Sequence, residues 1–578
     1  MSAADEFLDE DLAPYLLQRK TSPPSPDAQG GEAARGGREA GAAPADRPAG
    51  ARRRSPVPSG GAAAARPSAA AEPAAASGSP GQRPAAAGAP ARAPAAHNID
   101  TLFVSDTGKA FVVGWADDGE DALRGIGISL GSGKLAVLAG QLSRCRRRDV
   151  ETALGFEGRR DFGFFGFFGG GAEFKPRGEA HCFVQFASGA AAQHQLRAKV
   201  VSDEALLEIA LGYLAGVEVH GSPTAERFRL LESQLGTSLV RHWRELSRAI
   251  AAGAVCDRFG APGRKLRASI VVCLYGRAEY FFLQSALFSR ARDLSDHEFI
   301  YVSNSPELAE SLDKEARIAQ RLYGLNQALV TLPGNAGFGG ANNVAASFAN
   351  SDRLVFLNPD VVPTAADWAA RHLQVLDSAP AHTTRIFGAP LFYADGSLMH
   401  AGLYFEMDWG ISISGGSVRK LPMLRVEHYG KGAPPDLAEL RRSRQVPAIS
   451  GAFISIDRRL FERLEGFSED YVFGHYEDAD LCLRAYMRGI GSWIHDIPLW
   501  HLEGKGSVRL PFHEGASLVN RWQCTRIWHE RLMADGLVGR APALRPCAAP
   551  AADAPKKRSG ARRPAAPGKW GGRDAPRP

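Results

Sequence analysis

The chain has 578 residues, with 69 Lys or Arg against 63 Asp or Glu and a formal net charge of +6 at pH 7. The charge is unevenly placed: residues 540–578 carry 10 basic and 2 acidic side chains and residues 1–97 carry 11 and 10, so taking away this +8 and +1 leaves −3 for residues 98–539. A middle part without positive excess disfavours a nucleic-acid-binding protein. Seven scattered cysteines (Cys145, Cys182, Cys256, Cys273, Cys482, Cys524, Cys547), none in a Cys-x-x-Cys pair, support neither a disulfide framework nor a zinc site.

Residues 1–97 are dominated by Ala, Gly, Pro, Ser and Arg, a mixture that buries too little apolar surface to offset chain entropy and is expected to be disordered. The acidic start lacks the basic, apolar, small-residue order of a signal peptide. Apolar runs such as SIVVCLYG fall short of the roughly 20 residues of a membrane helix. The expected location is cytoplasmic. Residues 98–200 alternate as strands broken by Gly, Asp and Asn and predict a small all-β, sandwich-like domain. Residues 201–265 switch to helical spacing, with Ser202 and Thr224 as expected N-caps, and close in a linker, RFGAPGRK. From 266 to 539 short apolar strands (RASIVVCLYG, HEFIYVSNSP, NQALVTLPGN, SDRLVFLNPD) alternate with helical segments. That order predicts an α/β fold with a mostly parallel sheet, in which ligands gather at the carboxyl ends of the strands. Residues 540–578 form a second disordered, basic tail. It leaves open a peripheral contact with anionic lipid at the cytoplasmic face of the inner membrane, although a solvated end is commoner.

Several strand ends carry polar residues. The run LVFLNPD ends in Asn358, Pro359 and Asp360, either an ordinary turn or a carboxylate held at a rigid tip as a hard ligand for Mg2+ or Mn2+. PGNAGFGGANNVAA combines Gly337 with Asn335 and Asn342. It reads as a loop and capped helix or as a backbone cradle for a phosphate-bearing ligand. It is neither a Walker loop nor a dinucleotide fingerprint. GHYEDADLCLRAYMRG places Glu477, Asp478 and Asp480 at a helix start. Helix-end electrostatics and an Asp480–Arg484 pair account for Asp480 better than for the other two.

The order Asn-x-Gly-Phe-Gly-x-Ala-Asn-Asn (335–343), Leu-Asn-Pro-Asp (357–360), Gly-Ala-Phe (451–453) with Arg-Arg-x-Phe (458–461), Glu-Asp-x-Asp-Leu-Cys-x-Arg (477–484) and His-x-x-Gly-x-Gly-Ser (501–507) resembles the family 2 glycosyltransferases. The likeness is greatest to the bacterial branch with rhamnosyltransferases of surface-polysaccharide assembly. It covers about residues 267–530, and residues 114–156 resemble an accessory β-module beside some such enzymes. The resemblance implies a GT-A, Rossmann-like domain that moves a sugar from a nucleoside-diphosphate sugar, with dTDP-rhamnose the first guess, to a cell-surface glycan or lipid-linked precursor with inversion.

Carried over by motif, the resemblance makes Asp478 the catalytic base, with Glu477 beside it orienting the acceptor or tuning its pKa. Asp360 and His501 would hold Mg2+ or Mn2+, with Asn358 where many members have a first Asp; read alone, His501 is as readily structural. Tyr275, Arg277 and Asn304 would sit near the nucleotide, with Ser303 and Asn304 where members often carry an Asp for the base. Gly451 and Ala452 would lie against the donor sugar. Trp409 is a stacking platform on a mobile lid or a packing residue, and the late helix LVNRWQCTRIWHERLMA is expected to be packed rather than lipid-facing. Two rival functions remain: a non-catalytic carbohydrate-binding or scaffold protein, and a sugar-nucleotide pyrophosphorylase. The second lacks its basic Gly-rich loop after the first α/β strand.

Overall fold

A computed structural model describes residues 93–169, 179–260, 266–291, 296–378, 385–414, 417–502 and 510–539. The expected disorder before residue 93 and after 539, and the Gly-x-Gly-Ser that follows His501, lie outside the described residues.

The first part is built from two sheets. One has five strands, in the order Ser143–Cys145, Gly163–Phe168, Ala110–Ala116, His97–Ser105 and Lys199–Val201; the other has four, Gly133–Leu138, Leu123–Leu130, Glu179–Phe186 and Ala191–Arg197. Leu102, Val104 and Val112 of the first share an apolar core with Ile126, Ile128 and Val184 of the second, giving the expected sandwich. The strand GFFGFF is buried at every position, which alternation alone would not predict. Its second face (Phe165, Phe167), with Phe103 and Phe111, packs on the helices Asp203–Gly216, Pro223–Glu232, Gln234–Ala252 and Phe512–Ala534. Ser202 caps the first of these helices, accepting from the Ala205 N–H at 3.1 Å. Thr224 is not a cap: the second helix starts one residue earlier, at Pro223, with Ser222 at the N-cap position, because a proline suits the first helical position, where its missing N–H has no partner to lose.

The α/β part is a nine-stranded sheet. Its order is Val255–Phe259, Gln327–Thr331, His297–Ser303, Ala268–Leu274, Arg353–Leu357, Phe453–Asp457, Arg385–Gly388, Gly491–Ile494 and Arg444–Val446. The second to fifth are mutually parallel, and Phe453–Asp457 joins antiparallel to Arg353–Leu357. The end of the segment expected to be helical and the first two linker residues instead form an edge strand, Val255–Phe259, paired antiparallel with Gln327–Thr331. Helices cover both faces. Phe281, Phe288, Leu312 and Trp368 pack on one, and Ala341, Ala345, Leu460, Leu481 and Trp528 on the other. The chain order across the parallel strands is third, second, first, fourth, so the winding reverses between Ala268–Leu274 and Arg353–Leu357. In open α/β sheets ligands gather at the carboxyl ends of strands where the winding reverses, and here Tyr275 and Asn358–Asp360 follow those ends directly.

Candidate functional site

At the fourth parallel strand's end the chain turns through Asn358, Pro359 and Asp360. Gln284, fully buried on the helix Glu279–Phe288, donates to the Asn358 and Val361 carbonyls at 2.9 and 3.1 Å and fixes the turn. Val361 then pairs with His501 on Leu499–His501, and the Leu502 N–H donates to the Asp360 carbonyl at 3.0 Å. This register sets His501 Nε2 3.2 Å from Asp360 Oδ1. Both side chains are buried, and His501 Nδ1 has no hydrogen-bond partner.

Antiparallel pairing of Leu357 with Phe453 brings a second turn alongside. The Asn358 N–H donates to the Ala452 carbonyl at 3.0 Å. One residue earlier, the Gly451 N–H donates to Asp478 Oδ2 at 2.7 Å. A Cβ at Gly451 would lie 3.2 Å from the Phe338 ring and 3.4 Å from Asp478 Cβ, a tight fit against both. Two hydrogen bonds through the 451–452 turn therefore link the Asn358 backbone, two residues before Asp360, to the Asp478 carboxylate.

Asp478 is half-buried, whereas Glu477 is 5% exposed and its Oε2 has no partner. Burial, reinforced by the neighbouring Asp478 carboxylate, holds the Glu477 carboxyl well above the usual carboxylate range. Asp480 serves packing: it accepts from Trp528 Nε1 at 2.9 Å and from Arg484 Nε at 2.7 Å.

The turn before the acidic helix holds Phe473, His475 and Tyr476 at φ of 59°, 81° and 77°, a left-handed conformation that costs a non-glycine residue about 1 kcal/mol or more. Asn520 of the last helix, fully buried, restrains it. Its Oδ1 accepts from the Val472 N–H at 2.6 Å, and its Nδ2 donates to the Val472 and Gly474 carbonyls at 2.9 and 2.6 Å. From the other side Gly337, at φ +74°, lets the Phe338 N–H reach the Phe473 carbonyl at 2.6 Å. A Cβ at Gly337 would sit 2.6 Å from Trp243, which packs on Phe473.

The asparagines predicted near a nucleotide are tied into this scaffold. Asn304 donates to Asn335 Oδ1 and accepts from the Ala336 N–H, both at 2.8 Å; Asn335 Oδ1 also accepts from Gly337 N–H at 2.8 Å; Asn342 donates to the Phe338 carbonyl at 2.9 Å. Tyr275 hydrogen-bonds to Asn335, while burial and then Glu208 and Glu204 push its phenol up to about 12. Arg277 is half-buried, pairs with Glu279 at 3.2 Å and keeps Nε unpartnered.

Sequence reading missed His400, Asn520 and Gln284. His400 lies under the 450–452 turn: its Nε2 accepts from the Gly402 and Ser450 N–H groups at 3.2 and 3.3 Å. Burial, then His428 and His501, holds it well below the usual histidine range. The hairpin Leu403–Ser414/Ser417–His428 is pinned to the helix Pro223–Glu232, where Glu226 accepts from Ser412 Oγ at 3.1 Å and the Ile413 N–H at 2.9 Å. Trp409, 47% exposed under Lys420, thus rides on an anchored element. Trp522 and Trp528 of the last helix are buried, as expected of a packed helix.

Asp360 and His501 offer a buried carboxylate and an imidazole with an unpartnered nitrogen. This suits a divalent cation that keeps part of its shell for water or phosphate oxygens. Among the described residues no group of three or more His, Cys, Asp or Glu side chains could hold a metal. Among them, too, no helix is long and apolar enough to cross a membrane.

Fold and geometry together define an α/β protein in which the turns after the first and fourth parallel strands, and the acidic helix Glu477–Tyr486, gather at one end of the sheet's switch point. No protein-family model matches the chain. An uncharacterized protein of Sinorhizobium fredii, y4gI, is 26% identical over 163 residues. The match spans 28% of this chain and 16% of that protein, less than a fifth of its length. Among solved structures, GalNAc-T7 with UDP, GalNAc and Mn2+ is 17% identical at a TM-score of 0.32, over 46% of this chain and 49% of that one. The mannosyltransferase PcManGT from Pyrobaculum calidifontis with GDP-Man and Mn2+ is 15% identical at 0.29, over 55% and 88%. Residues 1–349 of S. aureus TarS are 15% identical at 0.28, over 44% and 64%.

Proposed function

We propose that this chain is an inverting, metal-dependent glycosyltransferase that moves a sugar from a nucleoside-diphosphate sugar to a glycan or lipid-linked glycan acceptor. The observation that supports the reading is the link from the Asn358–Asp360 turn to the Asp478 carboxylate through the Asn358–Ala452 and Gly451–Asp478 hydrogen bonds. The ordered motifs of residues 335–507 support it.

In this reading Asp478, held by the Gly451 N–H, takes the proton of the acceptor hydroxyl while its oxygen bonds to the sugar C1 and the C1–O bond to the diphosphate breaks. A divalent cation at Asp360 and His501 would neutralise charge growing on the leaving diphosphate. Glu477, whose burial and the Asp478 carboxylate beside it raise its pKa, orients the acceptor next to Asp478. Tyr275 and Arg277, at the end of the first α/β strand, face the nucleotide; Asn304, Asn335, Asn342 and Gly337 position the loops around it. A dTDP-sugar, dTDP-rhamnose first among them, is the expected donor, and a cell-surface polysaccharide the expected product.

The test is a thermal-shift panel of dTDP-, UDP- and GDP-sugars with and without Mn2+. A ligand of the folded state raises its stability by mass action, about 2.7 kcal/mol at one hundred times Kd. A Mn2+-dependent shift with one nucleotide class is expected, and no shift with any class contradicts the reading.

A further inference from the structure

A polar cavity of about 280 Å3 lies between the helix Pro223–Glu232, the strand Ser417–His428 and the helix Phe512–Ala534, near the lower end of the roughly 300–1,000 Å3 of small-molecule sites. Arg227, Arg425, Glu427, Ser517 and Arg521 line it, together with Tyr476, which precedes Glu477 and Asp478 in the chain. Its walls are fixed. Glu226 ties the first helix to the hairpin, Arg521 Nε donates to the Leu424 carbonyl at 2.9 Å, and Asn520 holds the turn that carries Tyr476. A preformed cavity loses little entropy on binding.

The charges point to a ligand class. Arg425 Nε donates to Glu427 at 2.9 Å, Arg521 Nη2 donates to Asp408 at 2.7 Å, and Arg227 lies 3.9 Å from Glu514. An anion would meet Glu427 and Glu514, and a cation would meet three guanidinium groups. What remains is an alternation of N–H donors, carboxylate oxygens and a serine hydroxyl beside one aromatic ring. Neighbouring hydroxyls, each donor and acceptor at once, complement that alternation, and the apolar C–H face of a pyranose suits the ring.

We propose that this cavity is the acceptor subsite, taking a neutral sugar unit of the glycan that receives the transferred residue. The assignment rests on the glycosyltransferase reading. It makes the helix before the α/β part, rather than the strand ends alone, a determinant of acceptor choice.

The test uses the full chain and saturation-transfer NMR with methyl glycosides of glucose, galactose, mannose, rhamnose and N-acetylglucosamine at millimolar concentration. At least one glycoside should bind the wild type. Ser517→Trp, which fills the cavity, should abolish the signal, Arg227→Ala should weaken it about tenfold through loss of a charged hydrogen-bond donor, and Asp478→Asn should keep it. Melting temperatures confirm that each variant is folded. Should Ser517→Trp not fold, Arg227→Ala alone decides. No glycoside binding, or binding unchanged in the cavity variants, overturns the proposal; a Mn2+-dependent nucleotide-sugar shift persisting alongside that failure leaves the transferase reading intact. Glycoside binding lost with Ser517→Trp but unaccompanied by any nucleotide-sugar shift keeps the cavity as a sugar site and overturns the transferase reading instead.

Discussion

Replacing Asn520 with Leu removes one side chain that touches neither proposed metal nor proposed base, yet the structure makes it decisive. Three hydrogen bonds run from it to Val472 and Gly474, each worth about 1 kcal/mol net and more where the remaining partner stays buried and unsatisfied. Against these roughly 3 kcal/mol stands the conformational strain of Phe473, His475 and Tyr476, about 1 kcal/mol or more apiece. The two terms are matched, so losing the clamp lets the turn relax instead of unfolding the chain. Stability should fall by about 1–3 kcal/mol in urea denaturation, below the full hydrogen-bond sum because strain is released. Asp478 would then move relative to Gly451, and misplacement by about 1 Å costs on the order of 100-fold in turnover. The assay is release of nucleoside diphosphate from the best-stabilising donor, with kcat and donor KM measured separately. The account expects kcat to fall about 100-fold and donor KM to rise as well, because the Phe473 carbonyl of this turn also accepts from the Phe338 N–H of the loop placed around the nucleotide. A destabilised protein with wild-type kcat would refute the argument and reduce Asn520 to an interior packing residue.

Glu477→Gln should raise stability at neutral pH. The folded carboxyl is held above its ordinary 4.5, so the wild type loses stability as pH climbs from that value through the folded pKa; the variant's advantage in melting temperature should grow over this window and vanish near pH 4.5. Burial pushes His495 down to about 3 and His372 well below 6.5. The unfolded chain therefore takes up these protons first, and denaturation midpoints should fall as pH drops below about 6.5; a flat profile there would show that these rings are not buried neutral. Gly337→Ala places a Cβ 2.6 Å from Trp243 in a left-handed conformation, a loss of about 2–4 kcal/mol, which denaturant titration would detect.

Much of the scaffold was legible because its signals are local. Four apolar runs ending in turn residues marked the parallel strands, and the reversal between the first and fourth follows from standard winding. Asp480 was read correctly because a pair four residues apart on a helix is a local fact. The meeting of the 358–360 and 451–452 turns was not legible. It depends on the antiparallel register that sets Phe453 against Leu357, and no periodicity encodes that pairing. Asn520 looks like any helical asparagine until the turn of residues 472–476 is folded against it. The expected bridge proved to be a wall: Trp243 abuts Gly337 and Phe473, and Ser247 donates to the Ala336 carbonyl at 2.8 Å. Pro223 was the overlooked signal for the helix start assigned to Thr224.

The central claim is tested most directly by two single variants measured side by side, Asp360→Asn and Asp478→Asn, each assayed for the Mn2+-dependent donor thermal shift and for sugar transfer. The account predicts that Asp360→Asn loses the metal-dependent shift, whereas Asp478→Asn keeps it and loses turnover by about 100- to 10,000-fold. Full transfer by Asp478→Asn, or an unaltered metal-dependent shift in Asp360→Asn, would contradict it.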